Sequence, residues 1–203
     1  MKEVNLYLLK IERCSSLPDF VNYWRVFYHY TGNDRYLANI NVKAITPNQI
    51  KELFHWKNGM TLEGSGGKEK SLQLKIIKRI KTINQYKSAK KIDLEKFNED
   101  FSDVTAVWRI FLLHIIQPKV YPMYDQHVHR TYSFLHGEDW SNINNKMSNK
   151  SKLDFYYKKY LPFVKELKFK NPKALDEAFF AFGQYINTRN QKQIFLNLSD
   201  ENE

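Results

Sequence analysis

Asp125 stands where a carboxylate can do chemistry. The residues around it read Tyr121-Pro122-Met123-Tyr124-Asp125-Gln126-His127-Val128-His129-Arg130, with a proline and a short turn before the acid and a helical pattern after it. An aspartate in that place is an N-cap. Its side chain accepts an amide of the first turn, and the amides of a helix N-terminus favour the charged form of a carboxylate. A carboxylate fixed beside an electron-poor carbon stabilises positive, oxocarbenium-like charge, and it can orient or deprotonate an attacking water. Capping alone is the other reading, because aspartate is a favoured cap whether or not it does chemistry. The neighbouring histidines raise a metal reading as well. Asp125 and His129 share a helix face at i, i+4, while His127 points away. Two ligands do not make a metal site, and no third stands at a suitable spacing, so a site without metal or cofactor is expected.

The elements that must hold Asp125 read as helices. Residues 104–117 are apolar nearly all round, which marks a central buried helix, opened by Ser102 or Asp103 and ended by Pro118. Asp125 then opens a helix that closes at Gly137. Upstream, residues 17–30 read as a helix started at Pro18 and Asp19, with Gly32 just past its end. Thr46-Pro47 starts another, carrying Ile50, Leu53, Phe54 and Trp56 and stopping near Gly59. After the loop Gly64-Ser65-Gly66-Gly67, residues 70–86 space Leu72, Ile76, Ile80 and Ile83 on one face, with Lys75, Lys78, Arg79 and Lys81 over much of the rest. A short helix is expected at 93–99, and an aromatic-rich one at 152–168 with Pro162 as a kink or break. Asn171-Pro172 repeats the cap-plus-proline start for a last helix at 174–188. Residues 1–13 are mixed, with an extended segment as one reading, and the tail at 196–203 is acidic and expected to be loose. The sum is an all-α protein.

Residues 106–137, AVWRIFLLHIIQPKVYPMYDQHVHRTYSFLHG, run through an apolar helix, Pro118, a short turn, Pro122, Asp125, His127, Val128 and Arg130. In that order the stretch resembles the end of the hairpin motif in helix-hairpin-helix DNA glycosylases, in which the aspartate is catalytic. Here two residues, Met123-Tyr124, stand between Pro122 and the acid where one is usual. The resemblance implies a single compact unit of two helical lobes, a hairpin lobe at residues 60–140 and a second lobe from 1–59 with 141–195. It implies that Asp125 is the catalytic carboxylate that helps cut a flipped-out base from its sugar. The family's hairpin usually reads Leu-Pro-Gly-x-Gly, whereas Asp100-Phe101-Ser102-Asp103-Val104-Thr105 has no glycine and two acids. Phosphate contact is then left to the amides of a helix N-terminus. Thr105-Ala106 stand where bifunctional members carry a Schiff-base lysine, so a monofunctional enzyme that uses water and leaves an abasic site is implied. Oxidised guanine and alkylated purines are the usual substrates of the family. A hairpin this divergent also leaves room for defence against phage DNA with modified cytosine.

By the same resemblance the base pocket draws on the first helices and the last one. Gln184 is the expected reader of a base edge, and Phe180, one turn earlier, is expected to stack. Tyr124, Trp108 and Trp24 are further pocket candidates, each of them equally a core residue, with Tyr28, Trp56, Phe179, Phe182 and Tyr185 in a wider set. The expected DNA contacts are Ser102 and Thr105 at the hairpin, Lys119 in the following turn, His127, His129 and Arg130 beyond Asp125, and Lys75 and Arg79 on the basic helix. The two histidines either pack or touch phosphate. Arg130 pairs with a phosphate or with an acidic neighbour.

Composition bounds the partners. The chain of 203 residues carries a net charge of +10, and that charge is regional. Residues 68–91 hold nine Lys or Arg against one acid, and residues 146–173 hold nine against two. Such stretches suit a polyanion, and double-stranded DNA is the expected partner, with no membrane and no obligate protein partner. One cysteine, Cys14, rules out an internal disulfide and any multi-cysteine cluster. The N-terminus is too polar for a signal peptide and no apolar run is long enough for a bilayer, so a cytoplasmic protein is expected. Two other classes remain open. One is a nucleic-acid-binding module of the same fold without the chemistry. The other is a helical protein whose basic faces meet an acidic partner.

Overall fold

The computed structural model describes residues 13–169, 171–188 and 191, and every regular element within them is helical. The segments expected to be extended at the start and loose at 196–203 lie outside the described residues. The first helix, α1 (Leu17–Trp24), begins where the Ser16 side chain accepts the Asp19 amide. It tightens into a 3-10 turn over Arg25–Phe27. Gly32 closes nothing: at φ +77° it is the N-cap of α2 (Asn33–Ile40), a helix that the sequence hides because only Tyr36 and Ile40 mark its buried face. α3 (Pro47–Asn58) has the expected start, a reciprocal Thr46–Gln49 capping box, and ends at Gly59 in the left-handed region (φ +64°).

The basic helix expected at 70–86 is broken. α4 (Gly67–Ser71) widens into a π turn at Leu72–Ile76, tightens to a 3-10 turn at Ile77–Arg79, and continues as α5 (Ile80–Ser88). This interruption is where the chain leans on the hairpin. Lys75 Nζ donates to the Asp103 carbonyl at 2.7 Å, and Arg79 places two donors on the Asp103 carboxylate at 2.6 and 3.2 Å.

α6 (Leu94–Asp100) and α7 (Ala106–Ile116) are joined by the turn at 101–105. Nine of the eleven residues of α7 are buried, as a central helix requires. Its cap differs from the expectation of Ser102 or Asp103. Thr105 is the N-cap without a side-chain bond, and the Ala106 amide donates instead to Asn149 Oδ1 at 3.0 Å, from across the molecule. α8 (Gln126–Leu135) opens at Asp125, and Gly137 (φ +64°) follows its end. α9 (Asn149–Phe155) runs through a π turn at Tyr156–Tyr160 into α10 (Leu161–Leu167), with Pro162 directly after the π turn, where the interrupted i to i−4 ladder accommodates a residue without an N–H. α11 (Pro172–Tyr185) is capped by Asn171.

One connected cluster of buried side chains runs from Phe20 to Ile186. α11 packs on α8 and α1, α3 on α2, and α7 on α5 and α9. The α8–α11 crossing is close-packed. A Cβ on Gly183 would lie 2.0 Å from the His127 carbonyl oxygen, so the absence of a side chain there is what lets the two backbones meet. Two buried bonds staple the same crossing: Arg130 donates to the Gly183 carbonyl at 2.9 Å, and Thr131 Oγ1 donates to the Phe179 carbonyl at 2.6 Å. Among the described residues no helix is long and apolar enough to cross a membrane.

Candidate active site

Asp125 is delivered by a short segment whose carbonyls are held from three directions. The Tyr121 carbonyl lies 2.7 Å from His114 Nδ1 on α7, the Pro122 carbonyl accepts the Tyr156 hydroxyl at 2.8 Å, and the Tyr124 carbonyl accepts Lys57 Nζ from the end of α3 at 3.0 Å. A carbonyl only accepts, so His114 Nδ1 carries the proton and Nε2 takes the Tyr36 hydroxyl at 2.8 Å. Burial holds His114 down to about 4, which keeps the ring neutral and this tautomer in place at ordinary pH.

The acid at the end of this segment does two things. Asp125 Oδ1 accepts the His127 amide at 3.0 Å, the expected cap, and Oδ2 lies 3.7 Å from Lys57 Nζ. Its side chain is 26 % exposed, so it is neither sealed away nor free in solvent. It opens on a small pocket of about 30 Å³. Tyr28, Tyr30 and Trp56 form one wall, Met123 and Val128 line the side of Asp125, and α11 contributes Asp176 and Phe180. The rings are ordered: Tyr28 and Tyr30 are nearly parallel at 11°, and Phe180 meets both edge-on. Burial raises the Tyr28 and Tyr30 phenols, so both stay protonated and the wall is uncharged.

Asp176 is the unusual group. It is 8 % exposed, and Oδ1 has no hydrogen-bond partner among the described residues. Desolvation, reinforced by Asp125 and Glu177 and opposed by Lys57 and Lys173, pushes its carboxyl up to about 7. Asp176 and Met123 also border a second cavity of about 150 Å³, where Tyr36, His114, Lys119 and Lys173 stand.

The residues expected at a site divide clearly. Asp125 and Phe180 meet at the first cavity, and Lys119, exposed, lines the second. Gln184 is exposed and outside both, because it lies two turns beyond Asp176, past the end of the cavity wall. Trp24 packs on Phe182 and Tyr185, Trp108 on Phe54, and Tyr124 is buried with its hydroxyl on His129. None of these three lines the cavity. His129 stacks on Phe155 with ring centroids 3.5 Å apart, and burial lowers it to about 4, so it packs rather than meeting phosphate. Arg130 is 2 % exposed and its two terminal nitrogens donate to the Gly183 and Ile143 carbonyls and to His127 Nδ1, so it pairs with no acid and is not open to a phosphate. His127 sets its ring against Phe180 at 5.0 Å. Ser102 and Thr105 are exposed on the hairpin turn. Lys75 and Arg79 hold that turn from outside, while the buried Arg109 bonds the Ser102 and Val104 carbonyls. Three cationic side chains thus hold this turn through its carbonyls and the Asp103 carboxylate.

Lys57, Tyr30 and Asp176 were not singled out from the sequence. For Asp176 a signal existed: it is a lone acid among Leu175, Ala178, Phe179 and Phe182 on an apolar helix face, one turn before Phe180. For Lys57 there was none, since it reaches the site by a tertiary contact between the end of α3 and the turn before α8. Among the described residues, no three His, Cys, Asp or Glu side chains gather as a metal site needs. No protein-family model matches the chain, and neither a curated protein nor a solved structure does, so a functional reading rests on this cavity and on the resemblance carried by residues 106–137.

Proposed function

We propose that the chain is a monofunctional DNA glycosylase, which hydrolyses the N-glycosidic bond of a base flipped out of a duplex and leaves an abasic site. The observation that carries this reading is the placement of Asp125: a partly open carboxylate at the mouth of a small aromatic-walled pocket, which must widen to admit a base. A flipped base needs a flat apolar chamber, and the sugar it leaves needs a negative group at its anomeric carbon. Asp125 supplies the second at the edge of the first. Lys57 holds the carboxylate in position through the Tyr124 carbonyl and its own contact with Oδ2. That placement makes it a partner of the acid, and water is the nucleophile.

Incubation with duplexes bearing damaged or phage-type modified bases, followed by alkali, reads abasic sites directly. Asp125→Asn is expected to lower base release by at least about 10²-fold while duplex binding stays within a few-fold. Borohydride added during turnover is expected to trap no protein–DNA adduct. Full activity in Asp125→Asn, or an adduct at Lys57, ends the reading as stated. The glycine-free hairpin favours a second reading, a duplex-binding module without chemistry. On that reading no tested duplex loses a base, and wild type and Asp125→Asn bind alike.

A further inference from the structure

Asp176 is a carboxyl at the cavity to which the hydrolysis proposed above gives no task. It stands one turn before Phe180 on α11, and both residues line the chamber that Asp125 borders. The Gly183 contact and the Arg130 and Thr131 bonds fix α11 against the start of α8, so the two carboxyls are held in one rigid frame. The cations nearest Asp176 are engaged elsewhere, Lys57 with Asp125 and the Tyr124 carbonyl and Lys173 with Glu177. A buried carboxylate whose Oδ1 has no hydrogen-bond partner is strongly disfavoured, and the neutral acid in the same place holds a proton it can give. The charged and titratable groups facing it are Asp125, Glu177, Lys57 and Lys173, together with the phenols of Tyr28, Tyr36, Tyr156 and Tyr160 and, across the second cavity, His114 and Lys119.

We propose that Asp176 is the general acid of the reaction, giving its proton to the departing base while Asp125 faces the sugar; this rests on the glycosylase reading above. Two carboxyl groups in one site with different environments is the pattern by which glycosidic bonds are broken at neutral pH. As the C1′–N bond breaks, its electron pair goes to the base, and the Asp176 proton moves to a ring nitrogen or carbonyl oxygen of that base, which leaves neutral. Water adds to C1′ and loses a proton to solvent, directly or by way of Asp125, and Asp176 regains its proton from solvent. The sum is one water consumed, with its hydroxyl on the sugar and its hydrogen on the base. A base that already carries positive charge needs no such donor. The site is therefore assigned to neutral bases rather than to cationic N-alkylated purines.

The test uses the full chain in single-turnover release from duplexes carrying one 8-oxoguanine or one 5-hydroxymethylcytosine, both neutral, or one 7-methylguanine, which is cationic. On a neutral base the wild-type rate should fall about tenfold per pH unit above pH 7. Asp176→Asn should lose about 10²–10⁴-fold near pH 6, and the slope with it. Whatever release of 7-methylguanine the wild type shows should survive in this variant within about threefold, whereas Asp125→Asn should abolish both. A wild-type rate that is flat from pH 7 upward overturns the inference, and this measurement needs no variant to fold. So does Asp176→Asn with full release of the neutral base, or with equal loss of both base classes, the mark of a structural role. If the wild type releases nothing from any duplex, the glycosylase reading falls and takes this inference with it. If Asp125→Asn abolishes release and Asp176→Asn changes nothing, the inference falls alone.

Discussion

Holding an unpaired acid inside the molecule has a thermodynamic signature at Asp176. Its carboxyl is raised from 3.8 to about 7, so the folded state binds that proton more tightly than the unfolded chain. The direction of the pH effect follows. Below pH 3.8 both states are protonated and nothing is lost; the destabilisation grows through the window up to 7 and is complete above it. At about 1.4 kcal/mol per unit, its ceiling is roughly 4 kcal/mol. Asp176→Asn should therefore move the urea midpoint upward at pH 8 and leave it nearly unchanged at pH 4. Equal shifts at both pH values would mean that charge is not what the substitution relieves. Asp125 is legible from its neighbours because capping is local: proline, turn and acid lie within a few residues. Lys57 and Asp176 are not, because their importance comes from which side chains they face after folding. Gln184, the reader expected one turn after Phe180, lies in the wrong direction along a helix whose cavity face runs towards its N-terminus.

At the level of elements, the α8–α11 crossing decides whether a site exists at all. Gly183→Ala puts a methyl group 2.0 Å from the His127 carbonyl oxygen and 2.8 Å from Thr131 Oγ1, and the first of these is backbone that cannot swing away. Separation of the two helices should cost about 1–3 kcal/mol or more and displace the amide that Asp125 accepts. Chemical denaturation should show the loss, and base release should fall with it even at temperatures where the variant remains folded. An unchanged midpoint would show that the crossing tolerates a wider spacing. Helices with strong local punctuation are readable, notably α3 with its capping box and α11 with Asn171-Pro172. The broken stretch from Gly67 to Ser88 is not, because its apolar spacing is that of an unbroken helix while the pull of Asp103 on Lys75 and Arg79 comes from a turn far along the chain. α2 escapes for a different reason: two buried residues are too few to show a period.

Across the whole molecule the positive charge is less available than its sum suggests. Lys75 and Arg79 serve Asp103, Lys87 donates to the Ile115 carbonyl, and Lys158, Lys159 and Lys173 pair with acids. Lys78 and Lys81 remain exposed on the basic stretch and are the better candidates for phosphate. Lys78→Glu with Lys81→Glu should weaken duplex binding and reduce the salt slope by about 0.9 for each phosphate no longer neutralised. A slope equal to wild type would move the duplex to another face. Met123 has a consequence at this same scale. It is the one apolar side chain that lines both cavities, the smaller and the larger, and its unbranched thioether chain is pliable. Trimming it, as in Met123→Ala, should merge the two, and the breadth of accepted cargo should grow: duplexes whose modified bases bear bulky sugars should compete better for the variant than for the parent. On the proposed function, such a result would make the size of the admitted base depend on how far one thin divider can bend.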